Sequence, residues 1–275
     1  MATTVTLPEP DWPSSLPALH RAFVRTAIAR FPQDQRVLGL AAGGSFRTNT
    51  LDEYSDLDFV VVVTPASWPA ILDEREALVR PLGPLLGAFT GEHVGEPRLL
   101  VTLFGPPLLH VDFKFVRPED LAQRVEDPVI LWERDGAITH GLAGTHARFP
   151  LPDPQWIEDR FWIWVHYVAT KIGRGELFEA LDALAFLRAR VLGPPLLESA
   201  GVMPAGVRRL ESAAGVHLAT LRHTVAAHDR SAAVEGLRAA VALYRQLRPA
   251  TLRRREAAEA EAVRYLDAIA QNGSV

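Results

Sequence analysis

Between residues 43 and 63 the chain reads GGSFRTNTLDEYSDLDFVVVV, and this stretch holds the side chains best spaced for chemistry. Asp56 and Asp58 stand two positions apart at the entry to the apolar run Phe59–Val63. A β-branched run of that kind reads as a strand buried on both faces. Side chains alternate along a strand, so Asp56 and Asp58 point to one side and Leu57 and Phe59 to the other. Two carboxylates on one face bring oxygen ligands together for a hard divalent cation. Upstream, Gly43 and Gly44 let a backbone come close to a phosphate, and Ser45 adds a hydroxyl. A hairpin with an acidic loop is the plainer alternative.

A third carboxylate lies downstream. The segments 98–104 (RLLVTLF) and 109–116 (LHVDFKFV) flank Pro106-Pro107 and read as a hairpin. Alternation places Val111, Phe113 and Phe115 on the core face and His110, Asp112 and Lys114 on the other. A carboxylate framed by apolar neighbours needs a reason, because an unpaired buried charge is costly. Asp112 either serves a site or pairs with His110 or Lys114 on a solvated face.

These residues need a scaffold. A helix capped by Ser14 or Ser15 is expected to run to about Phe31, with Leu16, Leu19, Phe23 and Ile28 on its buried side. Residues 1–13 are proline-rich and read as loose. Residues 37–42 form a short strand, and Ser67 precedes a helix over 68–80 with Pro69 in its first turn. Residues 81–97 carry no clear signal. A short helix follows from 118 to about 125, then an extended segment over 128–133. Residues 139–154 turn to Gly, Thr, His and Pro and read as an interdomain linker. Beyond it the spacing becomes helical, with helices expected near 155–172, 177–192, 206–213, 216–228, 231–247 and 252–270. Gly193-Pro194-Pro195 is expected to end the second of these. The expectation is an α/β (α+β) domain with a mixed sheet over residues 1–150, followed by an antiparallel α-helical bundle over 151–275.

The order Gly-Ser, roughly ten residues, then Asp-X-Asp entering an apolar strand resembles the nucleotidyltransferase superfamily, which includes DNA polymerase beta. Gly-Gly-Ser…Tyr-Ser-Asp-Leu-Asp looks most like its aminoglycoside and lincosamide branch. The resemblance implies a Mg²⁺-dependent enzyme, with two ions, that moves a nucleoside monophosphate from ATP or another nucleoside triphosphate to a hydroxyl of a small molecule. It implies that Asp56 and Asp58 hold the metal. It brings a third carboxylate on a neighbouring strand, here Asp112, as a ligand of the second ion or as general base. Gly44, Ser45, Arg47 and Ser55 would cradle the phosphates. The segment around Lys171, one of two lysines in the chain, is similar to the first bundle helix of antibiotic nucleotidyltransferases. That similarity implies Lys171 as a triphosphate contact across a cleft from Asp56; a solvated lysine near a helix C-terminus is the alternative. Other acceptors stay open: a protein, a tRNA or a metabolite, including antitoxin-like action on a partner. So does a nucleotide-binding relative without turnover. Neither a Walker-type Gly-Lys-Ser/Thr nor a Rossmann fingerprint is present.

Several smaller features have plainer readings. Trp156, Trp162 and Trp164 read as interdomain packing rather than base stacking. Arg253, Arg254 and Arg255 read as a solvated helix face pairing with Glu256, Glu259 and Glu261. Arg222 and His228 have the Arg-X5-His spacing of HEPN ribonucleases, which also arises easily by chance.

Composition bounds the rest. The chain has 275 residues, 48% of them hydrophobic, which is enough for a sizeable core. It has no cysteine, which excludes a disulfide framework and a cysteine zinc site. A net charge of −4 argues against a general nucleic-acid binder. Residues 1–150 hold 13 Lys+Arg against 19 Asp+Glu, and the remainder 16 against 14, so acid is concentrated where a cation-dependent site is expected. Pro8 to Asp11 stand where a signal peptide would be apolar, and the expectation is a soluble cytoplasmic protein with no membrane partner.

Overall fold

A computed structural model of the chain describes residues 4–6 and 8–271. The chain divides into two compact units, Met1–Arg148 and Phe149–Val275.

The first unit is built on a mixed seven-stranded sheet. Its strands are β1 (Thr4–Thr6), β2 (Val37–Ala42), β3 (Leu57–Val63), β4 (Leu85–Gly91), β5 (Glu96–Phe104), β6 (Leu109–Val116) and β7 (Val129–Arg134), in the order β1-β7-β2-β3-β6-β5-β4. All neighbours are antiparallel except β3 and β6, which run parallel. Helices α1 (Ala18–Arg30) and α3 (Trp68–Val79) flank the sheet, and a short helix α2 (Gly44–Thr48) follows β2. Leu57, Phe59, Val61 and Val63 of β3 and Val111, Phe113 and Phe115 of β6 share one core with Phe23, Val24 and Ala27 of α1 and Ile71 of α3. Five phenylalanines, Phe23, Phe31, Phe59, Phe104 and Phe113, pack together in this layer, mostly edge-on or tilted, with ring centroids 4.8–6.5 Å apart. Val62 and Val116 join Ala41, Leu121 and Ile138 in a smaller cluster.

Some local expectations are corrected. Helix α1 begins after Pro17, and Ser15 instead uses its hydroxyl to accept the Leu51 amide at 3.1 Å. The N-terminal stretch is not loose where it is described: Thr4–Thr6 pairs with β7, and Glu9 is gripped by Arg21 and Arg25. Residues 1–3 and 7 lie outside the described residues. The division between the units falls within the segment read as a linker, but its first four residues, 139–142, belong to helix α4 (Ala137–Leu142). The buried Glu133 caps this helix, accepting the Ile138 and Thr139 amides at 2.9 Å and the Thr139 hydroxyl at 2.6 Å. A buried carboxylate that satisfies two helix-end amides and a hydroxyl outweighs the weak helix propensity of the Gly- and Thr-rich sequence.

The second unit is helical: α5 (Pro154–Arg174), α6 (Leu177–Leu187), α7 (Gly193–Ser199), α8 (Leu210–Ala213), α9 (Leu218–His223), α10 (Arg230–Leu247) and α11 (Glu256–Gln271). Asp153 caps α5 by accepting the Gln155 and Trp156 amides, and Pro154 takes the first helical position. Gly193-Pro194-Pro195 does not end a helix. A π turn over Arg188–Leu192 leads into α7, whose first turn takes both prolines where their missing N–H groups cost nothing. Fully buried Glu158 organises the bundle core. It accepts the Tyr244 hydroxyl at 2.7 Å, the Trp162 indole N–H at 3.1 Å and the Arg255 amide at 3.0 Å. Trp162 therefore packs inside the bundle, against Phe161 and Tyr244. Arg253, Arg254 and Arg255 precede α11 and do not lie on its face, and Arg255 pairs with Asp159 of α5.

Candidate functional site

The pairing of β3 with β6 decides where the acidic residues lie. Because the strands are parallel and in register, Asp58 stands directly beside Asp112, with Leu57 beside Val111 and Phe59 beside Phe113. The alternation expected for β6 holds: Val111, Phe113 and Phe115 are fully buried, while Asp112 is half-buried. Asp56 precedes β3 by one residue and is likewise half-buried. On the Asp112 face, His110 Nε2 lies 3.0 Å from Asp112 Oδ1, and Lys114 pairs with Glu96 at 2.8 Å.

The glycine turn sits against this pair. Gly43 donates its amide to the Asp58 carbonyl at 2.9 Å, which ties the end of β2 to the start of β3. A Cβ placed on Gly44 would lie 2.2 Å from Asp58 Oδ2, and Gly44 has a φ of +55°, so both the close approach and the backbone require glycine. Ser45 is the second residue of the short helix α2, and Arg47 is exposed in its last turn.

Ser55 is engaged locally. Its hydroxyl donates to Asp52 Oδ1 at 3.0 Å and accepts the Asp52 amide at 3.0 Å. Lys171 is in the second unit, near the C-terminal end of α5. Its ammonium is 2.5 Å from Glu176 Oε2 and 5.2 Å from the Tyr167 ring.

Two further residues bear on the site. Glu126 accepts the Gly44 amide through Oε1 at 2.7 Å, and a Cβ on Gly43 would lie 2.6 Å from that oxygen. His20 of α1, only 2% exposed, places Nε2 2.7 Å from the Ser55 carbonyl, immediately before Asp56. Its buried Nδ1 has no hydrogen-bond partner, and Nε2 donates to the Ser55 carbonyl. Neither residue carried a local signal, since both reach the site from distant segments. Only the topology brings them there.

Among the described residues no three His, Asp or Glu side chains converge into a group able to hold a metal ion by themselves. The donor chemistry of Asp58 and Asp112 nevertheless fits a hard cation. Mg²⁺ is commonly bound by one or two carboxylates together with substrate phosphates, not by an all-protein cage.

Residues 24–81 match the family model of the nucleotidyltransferase domain. The matched segment runs from α1 through β2, the glycine turn and β3 to the end of α3, and it contains Asp56 and Asp58. The mixed-sheet unit therefore carries a nucleotidyltransferase-domain signature, and the helical unit lies outside the matched residues. Asp112, Glu126 and Lys171 lie outside the matched residues. Among solved structures the chain is similar to a nucleotidyltransferase-like protein from Exiguobacterium sibiricum 255-15. The two share 14% identity over 94% of this chain and 81% of that chain, with a TM-score of 0.36. No curated protein matches the chain. No described helix is long and apolar enough to cross a membrane.

Proposed function

We propose that the chain transfers a nucleoside monophosphate, in the first instance AMP from ATP, to a hydroxyl of a small molecule, as antibiotic adenylyltransferases do. The observation that carries this reading is the register of β3 against β6, which sets Asp58 beside Asp112 next to a glycine turn. The acceptor oxygen forms a bond to the α-phosphorus as the α–β bridging P–O bond breaks, and pyrophosphate leaves. Asp56 and Asp58, with Asp112, would hold Mg²⁺, and the bound metal would supply charge neutralisation at the attacking and leaving oxygens.

The chain's own groups bind, orient and move the proton. Gly44, once Glu126 releases its amide, and Ser45 would bind the phosphates, and Arg47 and Ser55 are candidates for the same task. Ser55 would first release Asp52. Lys171 is a further candidate for the triphosphate on the family resemblance, and it would have to leave Glu176. Asp112 would either serve the second ion or accept the acceptor's proton, and His110 lies 3.0 Å from it. Positioning and electrostatic stabilisation carry most of the catalysis in phosphoryl transfer.

The test is nucleotide-dependent pyrophosphate release, measured for the four common nucleoside triphosphates with Mg²⁺ across a panel of aminoglycosides, lincosamides and other polyols. Release that needs both an acceptor and Asp58 supports the reading. No release with any acceptor, together with no nucleotide binding by calorimetry, overturns it. Release only with a protein or tRNA acceptor would move the substrate class.

A further inference from the structure

The β6–β7 connection brings a fourth carboxylate to the glycine turn. Strand β6 ends at Val116, beside Val62 at the far end of β3, whereas β7 begins with Val129 opposite Ala42, next to the glycine turn. The chain must therefore travel back along the sheet between residues 117 and 128. It is fastened on the way: Arg117 binds Asp120 through two charge-assisted hydrogen bonds, and Arg124 donates to Thr145 Oγ1 at 2.7 Å and to the Thr145 carbonyl at 2.8 Å. Glu126, three residues before Val129, consequently arrives at Gly43 and Gly44. Its Oε1 accepts the Gly44 amide at 2.7 Å, a short charge-assisted bond.

From this contact we infer that Glu126 is an internal competitor for nucleotide: its carboxylate holds the Gly44 amide that a phosphate oxygen of the triphosphate would take. This rests on the proposed nucleotidyl transfer. An amide N–H makes one strong hydrogen bond, so carboxylate and phosphate exclude each other there. They also repel, and the low-dielectric side of a half-buried turn strengthens that repulsion. Nucleotide binding then includes displacement of Glu126, which makes Glu126 a determinant of nucleotide affinity without contact to the reacting atoms. Neither Gly43 nor Gly44 can be anything larger while both carboxylates sit on the turn, since a Cβ on Gly43 would meet Glu126 Oε1 at 2.6 Å and one on Gly44 would meet Asp58 Oδ2 at 2.2 Å.

The experiment compares wild type, Glu126→Gln and Glu126→Ala in the full chain. Calorimetry measures binding of a non-hydrolysable ATP analogue with Mg²⁺ and, separately, of inorganic tripolyphosphate. Steady-state kinetics gives the KM for ATP, and a melting curve reports the fold. Glu126→Ala should tighten both ligands by roughly tenfold, the size of one charge-assisted hydrogen bond regained. Glu126→Gln keeps the shape and a weaker acceptor, so it should fall between. Glu126→Gln also serves as the folded control if the alanine variant does not fold. KM for ATP should fall with Kd, which a merely structural residue would not produce. Unchanged or weaker binding in a folded variant overturns the role of Glu126 and leaves the proposed function standing. Absence of binding in wild type and variants alike overturns the proposed function, and the competitor role with it.

Discussion

At Gly44 a single methyl group would meet both backbone strain and a carboxylate. Its φ of +55° costs an L residue roughly 1–2 kcal/mol, and the added Cβ would stand 2.2 Å from the Asp58 carboxylate. Gly44→Ala should lower the melting temperature of the first unit and abolish transfer, because Asp58 must move. A variant with full turnover would remove the glycine turn from the site. Asp112 supports a different expectation. Removing a placed proton acceptor costs roughly 10²–10⁴-fold in rate. Asp112→Asn should therefore fold normally and lose turnover by about that factor, while weakening nucleotide binding less than Asp56→Asn does. Equal losses of nucleotide affinity in the two variants would favour metal coordination over a base role. Near-normal turnover in Asp112→Asn would pass the role to His110. That Asp58 and Asp112 face away from the phenylalanine core was legible because a period of two and an apolar frame fix which way a strand residue points. Glu126 and His20 were not, because no local pattern says which distant segment will pass a given turn.

Among the elements, β5 and β6 carry an acid-sensitive clasp. Burial opposes ionisation of Glu96, but its bonds to the Arg98 guanidinium and the Lys114 ammonium outweigh that and hold its carboxyl at about 2, below the ordinary 4.5. A carboxylate whose folded-state value is depressed stabilises the fold above its unfolded value and loses that contribution as pH falls. Melting temperature in wild type should therefore drop more steeply between pH 4.5 and 2 than in Glu96→Gln. Parallel curves would show that the clasp contributes nothing. In the bundle, removing the Tyr244 hydroxyl leaves Glu158 short of one buried partner, so Tyr244→Phe should cost about 1–3 kcal/mol in a denaturant titration. A loss below about 0.5 kcal/mol would mean that a water replaces the hydroxyl. Element type was largely readable, and boundaries were less so. Helical spacing gave α5 and α10 closely, with α11 starting four residues later than expected. It failed at Gly193-Pro194-Pro195, where the prolines start a helix after a π turn. It failed again at residues 139–142, where a buried glutamate, invisible to local propensity, caps a helix.

For the whole chain, two separate hydrophobic cores, one around the phenylalanine layer and one around Glu158, predict two calorimetric transitions. Gly44→Ala should shift one and Tyr244→Phe the other. A single transition that both variants move equally would mean the units unfold as one. The first core is also far from local in sequence: Thr4 pairs with Arg134, and the parallel partner of β3 is β6. Time enters here. Strands β2 and β3 can pair, with the glycine turn between them, soon after both have left the ribosome. Synthesis at roughly 5–20 residues per second then takes several seconds more to reach β7. Through that interval β2 has an open edge, β1 has no partner and Gly44 has no Glu126. The oldest strands of the nascent chain are thus the last to be enclosed, and a chaperone that shields strand edges should matter more to the first unit than to the second.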